Sequence, residues 1–92
     1  MAITAISLIV PAHNEAVNLQ YLSAKLSEIK SKITRSIELI VVDDCSTDGS
    51  NVTIFKKCPI KVKYLKNETR LGKSQSILIG YANSKSDYVD SS

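Results

Sequence analysis

Two adjacent acidic residues, Asp43 and Asp44, follow directly on a strongly apolar stretch, I-E-L-I-V-V. A near-continuous β-branched run of this kind is typical of a strand covered on both faces in a parallel sheet. The carboxyl end of such a strand is where open α/β sheets bind ligands. Neighbouring carboxylates are costly to desolvate, so they need donors such as ring N–H groups, ribose hydroxyls, cationic side chains or a metal ion. The pair is therefore a candidate binding site, and the alternative is a solvated loop acid beside a helix N-cap.

The elements before this pair are a strand and a helix. Residues 3–10 are mostly apolar and predict a first strand, which ends at Pro11 because proline cannot donate to a central ladder. Apolar residues spaced three and four apart then predict a helix over residues 15–32, with Asn14 as its N-cap. Strand, helix and strand in this order predict a right-handed βαβ unit with parallel strands.

The second half of the chain continues the alternation. A short helix to about Lys57, capped by Asp48, precedes an alternating strand over residues 60–65, whose lysines suit a sheet edge. A helix over residues 73–84 is expected to bury Ile77, Leu78, Tyr81 and Ala82, and residues 87–90 begin a fourth strand. The order β-α-β-α-β-α-β predicts one three-layer α/β/α domain over residues 1–92 with a mostly parallel sheet.

Composition narrows the class of function. The net charge of +3 permits phosphate binding, but the lysines are dispersed and the chain has one Phe and no Trp, so nucleic-acid binding is not expected. Cys45 and Cys58 have neither metal-site nor redox spacing and are expected to be reduced thiols. We find no signal peptide and no membrane-spanning segment in the sequence, and expect a cytoplasmic protein.

Two other nucleotide-site patterns fit less well. A dinucleotide-binding unit needs G-x-G-x-x-G after the first strand, where this chain has P-A-H-N-E. The acidic pair of response regulators ends the first strand, whereas Asp43 and Asp44 end the second.

Four blocks together carry a closer likeness: S-L-I-V-P-A-H-N-E, I-E-L-I-V-V-D-D-C-S-T-D-G-S, N-E-T-R-L-G-K and G-Y-A-N-S-K-S-D-Y-V. In order and spacing they resemble the N-terminal blocks of the family 2 inverting glycosyltransferases of the GT-A group, which includes dolichol-phosphate mannosyl- and glucosyltransferases. The resemblance implies a Rossmann-like half of a GT-A fold. It further implies a nucleotide-sugar donor, preferably a UDP-sugar, an acceptor sugar or lipid phosphate, and for full-length relatives the cytoplasmic face of a membrane.

The same resemblance implies roles for the first two blocks. Pro11, Ala12 and Glu15 match the loop that lies against the nucleoside, with Glu15 near the ribose. One member of the pair Asp43 and Asp44 is implied to accept a hydrogen bond from the pyrimidine N3–H, and we favour Asp44. A carboxylate suits this donor because a charge-assisted hydrogen bond is stronger than a neutral one.

The third block is implied to approach the base and phosphates from the other side, through Asn67, Arg70, Gly72 and Lys73. Glycine permits close backbone approach, and Arg70 or Lys73 could neutralise a diphosphate. His13 stands where the family often has an aromatic residue, and we interpret it as ring packing or solvent exposure.

The end of the sequence departs from the family pattern. The family has a D-x-D motif that holds a divalent cation, Mg²⁺ or Mn²⁺, whereas here Asp90 would be its first acid and Ser92 stands in place of the second. A serine hydroxyl is a poor ligand for these cations. The chain is thus expected to be a truncated GT-A nucleotide-binding domain that transfers sugar slowly or not at all. The alternatives are a non-catalytic nucleotide-binding module and a module that forms homo-oligomers through an exposed sheet edge.

Overall fold

The computed structural model describes residues 5–30, 32, 36–84 and 88–91, with side chains described only between residues 6 and 84. Within these residues a four-stranded sheet has the order β3-β2-β1-β4. The strands are β1 (Ala5–Ala12), β2 (Ser36–Asp44), β3 (Lys61–Asn67) and β4 (Tyr88–Ser91). All three pairings are parallel, which confirms the predicted sheet and places β3 at an edge.

The helices are shorter than predicted. Helix α1 is Ala16–Lys30, and α2 is Lys73–Ala82. The predicted helix after β2 is only a 3₁₀ turn, Val52–Phe55. The Asn51 side chain accepts from the Thr53 N–H at 2.8 Å and caps that turn, while Pro59 follows too closely for further turns. No helix in these ranges combines the length and apolarity needed to cross a membrane.

Alternate residues of β2 face opposite layers, as the two-residue period of a strand requires. Leu39 and Val41 are fully buried in the larger apolar cluster, against α1 and the 3₁₀ turn. Ile40 and Val42 are fully buried on the other face, in a smaller cluster that includes Ile79 of α2. Strand β2 is therefore covered on both faces, as its composition predicted.

Helix α2 packs on the sheet through small residues, which the sequence prediction missed. Leu78 and Tyr81 were expected inside, but they are 60% and 64% exposed. Ser76 and Gly80 are the buried residues of this helix. A Cβ atom at Gly80 would lie 2.5 Å from Cγ2 of Ile9, so the absence of a side chain is what permits the close approach. The first helix also departs from prediction, since Ile29 of its apolar stripe is 41% exposed.

A row of polar contacts crosses the α2 face of the sheet. The buried Ser7 hydroxyl donates to Glu38 at 2.8 Å, and Lys63 Nζ lies 3.1 Å from the same carboxylate. Lys63 also donates to the carbonyl of Asn83, immediately after α2, at 3.0 Å. These contacts join β1, β2 and β3 to the carboxyl end of α2, and so fix the helix over the sheet.

We predict that Gly80→Val lowers the free energy of unfolding by about 2–3 kcal/mol, because it overpacks the contact with Ile9. Gln75→Val on the same helix is the control, since Gln75 is exposed and surface changes are usually within about 0.5 kcal/mol. Urea denaturation followed by circular dichroism measures both. Equal stabilities for the two variants would contradict the close approach of α2.

Candidate functional site

The carboxyl ends of the central strands border a cavity of about 220 Å³. Parallel strands bring these ends to one edge of the sheet, where open α/β sheets bind ligands. The cavity is lined on one side by the end of β1 and the loop after it, and on the other by β2 and the start of α2: Pro11, Ala12, His13, Glu15, Asp44, Arg70, Lys73 and Ser76. Six of the residues predicted for a nucleotide site therefore lie together, although they come from three separate sequence blocks.

Asp44 is the centre of this group, and both of its carboxylate oxygens are bonded twice. Oδ1 accepts from the Leu71 N–H at 2.7 Å and from the Asn67 side-chain amide at 3.0 Å. Oδ2 accepts from the Gly72 N–H at 2.9 Å and from Nε of Arg70 at 3.1 Å. Asn67 and Gly72 thus bind Asp44 but are not among the residues that line the cavity.

These donors hold the Asp44 carboxyl group in its charged form. The Asn67 amide lowers its pKa most, followed by the N–H of Leu71, against the opposing effect of burial. The N–H of Gly72 and the guanidinium of Arg70 lower the pKa further, and the result is well below the ordinary value for Asp. Gly72 can aim its N–H at the carboxylate because it adopts a φ of 92°, a backbone conformation that favours glycine.

Asp43 lies on the other face of the sheet and does not line the cavity. Its carboxylate is fully buried and accepts from the Ser46 N–H at 2.8 Å and from the Tyr64 hydroxyl at 2.6 Å. Burial and the neighbouring Asp43 carboxylate raise the pKa of Tyr64 above its ordinary value. Since successive strand residues point to opposite faces, two acids adjacent in sequence have separate surroundings.

The loops after β1 and β2 are joined by side chains that the sequence assigned to helix capping. Asn14 was predicted as the N-cap of α1, but its side-chain oxygen accepts from the Thr47 N–H at 2.7 Å. Asp48 was predicted to cap the short helix, but its carboxylate accepts from the Ala16 N–H at 3.0 Å, in the first turn of α1. Both predictions were wrong because these partners are distant in sequence. Hydrogen bonds from Ser50 and Ala16 lower the pKa of Asp48.

Asp48 consequently fills the position where a helix N-terminus would bind an anion. In dinucleotide-binding folds that position holds the pyrophosphate, at the first helix after a glycine-rich turn. Here a carboxylate of the protein occupies it, in agreement with P-A-H-N-E in place of the glycine motif. The amino end of α1 is therefore already occupied by a carboxylate, whereas the first turn of α2 carries no acidic residue.

His13 lines the cavity and has a defined tautomer. Its Nδ1 lies 2.7 Å from the carbonyl oxygen of Asp44, and because a carbonyl only accepts, Nδ1 carries the proton. Nε2 is then free to accept from the Asn14 side-chain amide at 3.2 Å. The half-buried imidazole thus links the loop after β1 to the end of β2.

Ser76 is the lining residue that sequence reasoning missed. It is fully buried, and its hydroxyl oxygen accepts from the Asn67 amide at 3.3 Å. The signal that could have found it is the spacing of four residues between Ser76 and Gly80, which places two small residues on one helix face.

The described residues offer no complete site for a divalent cation. Within the described residues, no group of three or more His, Cys, Asp or Glu side chains could hold a metal ion. The backbone of Asp90 lies in β4 opposite Leu8, but its side chain falls outside the described part of the chain, as does Ser92. The ligand role of Asp90 stays a prediction.

Comparison with solved structures places the fold among the GT-A glycosyltransferases. Residues 1–349 of TarS from S. aureus superpose with a TM-score of 0.72 at 24% identity, covering 96% of this chain and 26% of that one. The mannosyltransferase PcManGT from Pyrobaculum calidifontis, solved in complex with GDP-Man and Mn²⁺, gives 0.69 at 21% identity, covering 91% and 25%. The predicted fold class is confirmed.

The sequence comparison defines the family. The profile of Glycosyl transferase family 2 matches residues 7–89, and the chain belongs to that family. It is 31% identical over 86 residues to the dolichol-phosphate mannosyltransferase of Saccharomyces cerevisiae, which covers 90% of this chain. The chain spans about a third of that relative's length, since the match covers 32% of it. The expected glycosyltransferase class is therefore confirmed.

We predict that the Asp44 carboxyl group titrates well below the value of about 3.9 that is ordinary for Asp. Because the folded pKa is the lower one, Asp44 stabilises the fold above about pH 4, and this contribution disappears as the pH falls towards the folded pKa. Carboxyl ¹³C NMR between about pH 7 and pH 2 measures the titration, and Asp44→Asn identifies the signal. Titration at the ordinary value would contradict the four hydrogen bonds.

Proposed function

We propose that this chain is the donor-binding portion of a family 2 glycosyltransferase, and that it binds a UDP-sugar. The observation that carries the proposal is the convergence of six predicted nucleotide-site residues on one cavity at the carboxyl edge of the sheet. The full-length protein would transfer the sugar to an acceptor with inversion of the anomeric carbon. The acceptor would be a sugar or a lipid phosphate.

The nucleoside is assigned to the space between the two sides of the cavity. The cavity has a volume of about 220 Å³, which is below the ~300–1,000 Å³ of sites that enclose a drug-sized ligand. It suits a base with part of its ribose, while the diphosphate and sugar extend outwards. Pro11 and Ala12 offer the apolar surface for a ring, and the Glu15 carboxylate can accept from a ribose hydroxyl.

The diphosphate is assigned to the α2 side. Arg70 and Lys73 are exposed cations that line the cavity, and α2 begins at Lys73 without an acidic residue in its first turn. The N-cap of α2 is Gly72, whose own N–H donates to Asp44 and which has no side chain to cap the N–H groups that follow it. Positive side chains and a helix N-terminus together favour a diphosphate.

Uridine is the preferred base, and guanosine is the alternative to test. Uracil carries one ring N–H, at N3, from which Asp44 would accept a hydrogen bond. Guanine also carries a ring N–H donor. The mannosyltransferase with a similar fold was solved with GDP-Man, which makes GDP the necessary second ligand. The same structure contains Mn²⁺, so a divalent cation belongs in the titration.

We expect saturable binding of UDP, with amide shifts in ¹⁵N NMR spectra at Glu15, Leu71, Gly72 and Lys73. Lys73→Ala should weaken UDP binding roughly three- to tenfold by removing a cation from the phosphates. It should leave the binding of uridine unchanged, since uridine has no phosphate. Lys66→Ala is the matched control, because Lys66 is an exposed lysine of β3 that does not line the cavity.

The titration is repeated with GDP and with Mn²⁺ present. Tighter GDP than UDP binding would replace uridine by guanosine in the proposal. Absence of saturable shifts with either nucleotide, in a folded chain, would contradict donor binding.

Size-exclusion chromatography of the same sample tests the predicted self-association through a sheet edge. The outer strands of the described sheet are β3 and β4.

A further inference from the structure

The hydrogen bonds of Asp44 leave no acceptor position for a ligand. A carboxylate offers about four lone-pair sites on its two oxygens. In this structure four donors occupy them, two on each oxygen: Asn67 and Leu71 on Oδ1, Arg70 and Gly72 on Oδ2. The Asp44 side chain is only 5% exposed. A nucleobase N–H can therefore bind Asp44 only if one of these donors leaves.

Three of the four donors are fixed by the fold. The N–H groups of Leu71 and Gly72 belong to the backbone that leads into α2, so they cannot leave without moving the helix start. The amide of Asn67 is buried at the end of β3 and also bonds Ser76. Breaking the Asn67–Asp44 hydrogen bond would also separate two buried polar groups, which is costly.

Arg70 is the donor that can leave. Its side chain is 58% exposed, and its bond to Asp44 is, at 3.1 Å, the longest of the four. An ion pair with such an exposed member contributes little, and water solvates the released guanidinium. Arg70 also lines the cavity beside Lys73, so a diphosphate there would offer it a bidentate partner.

We infer that Arg70 occupies, in the free protein, the acceptor position on Asp44 that the ring N–H of the base takes in the complex. The diphosphate attracts Arg70 away from Asp44 and thereby opens the base position. This inference rests on the proposed donor binding and adds a coupling to it. Base and diphosphate bind cooperatively because each needs the same side chain to move, and such coupling acts equally in both directions.

The test uses the ¹⁵N-labelled chain, its Arg70→Ala variant and three ligands: uridine, N3-methyluridine and UDP. Arg70→Ala frees the acceptor position, so uridine should bind roughly two- to fivefold more tightly, the range expected for releasing an exposed ion pair. N3-methyluridine has no ring N–H, so it should bind Arg70→Ala no more tightly than it binds the wild-type chain. UDP should bind roughly tenfold more weakly, because the variant loses a charge-assisted contact to phosphate. Lys66→Ala should change each affinity less than twofold.

The wild-type chain provides a second measurement that needs no variant. The Nε–H signal of Arg70 reports its bond to Asp44, and saturation with UDP should move it. Unchanged or weaker uridine binding in Arg70→Ala, or an Arg70 Nε–H signal that stays in place at UDP saturation, overturns the inference. Those results leave donor binding intact, whereas failure of the wild-type chain to bind UDP and GDP contradicts the proposed function itself.

Discussion

The arrangement of the cavity depends on one buried carboxylate. Asp44 ends the central strand, and its charge is tolerated only because four donors from β3, the following loop and the residue before α2 surround it. The same hydrogen bonds fix where α2 begins and how the loop over residues 68–72 runs. The α2 side of the cavity is therefore shaped by the requirement to satisfy Asp44.

The other side of the cavity depends on two further acids that face away from it. Asp43 bonds the Ser46 N–H and the Tyr64 hydroxyl, and Asp48 bonds the N–H of Ala16 at the start of α1. Asn14 joins the loop after β1 to the loop after β2, and Asp43 bonds Ser46, whose hydroxyl oxygen accepts from the Asn14 N–H. Each of the three acids has its own set of hydrogen-bond donors.

These contacts also distribute charge across the site. The Asp48 carboxylate accepts from the first N–H of α1, whereas the first turn of α2 carries no acidic residue and Arg70 and Lys73 lie beside it. This distribution is the basis for proposing the diphosphate on the α2 side and not at the amino end of α1, the position used by dinucleotide-binding folds. The donor proposed for this member of glycosyl transferase family 2 would need cations for its diphosphate at one end and a hydrogen-bond acceptor for its base at the other.

The sequence by itself determined the alternation of elements, the parallel sheet, the edge position of β3 and the family. Periodicity and turn residues are local, and the blocks of the family retain their spacing, so both can be read along the chain. The tertiary structure alone decided that Asp44 and not Asp43 lines the cavity, that Asp48 caps α1, and that α2 packs through Ser76 and Gly80. Those features depend on contacts between residues distant in sequence and on how closely a helix can approach a sheet, and neither is encoded in local hydrophobicity.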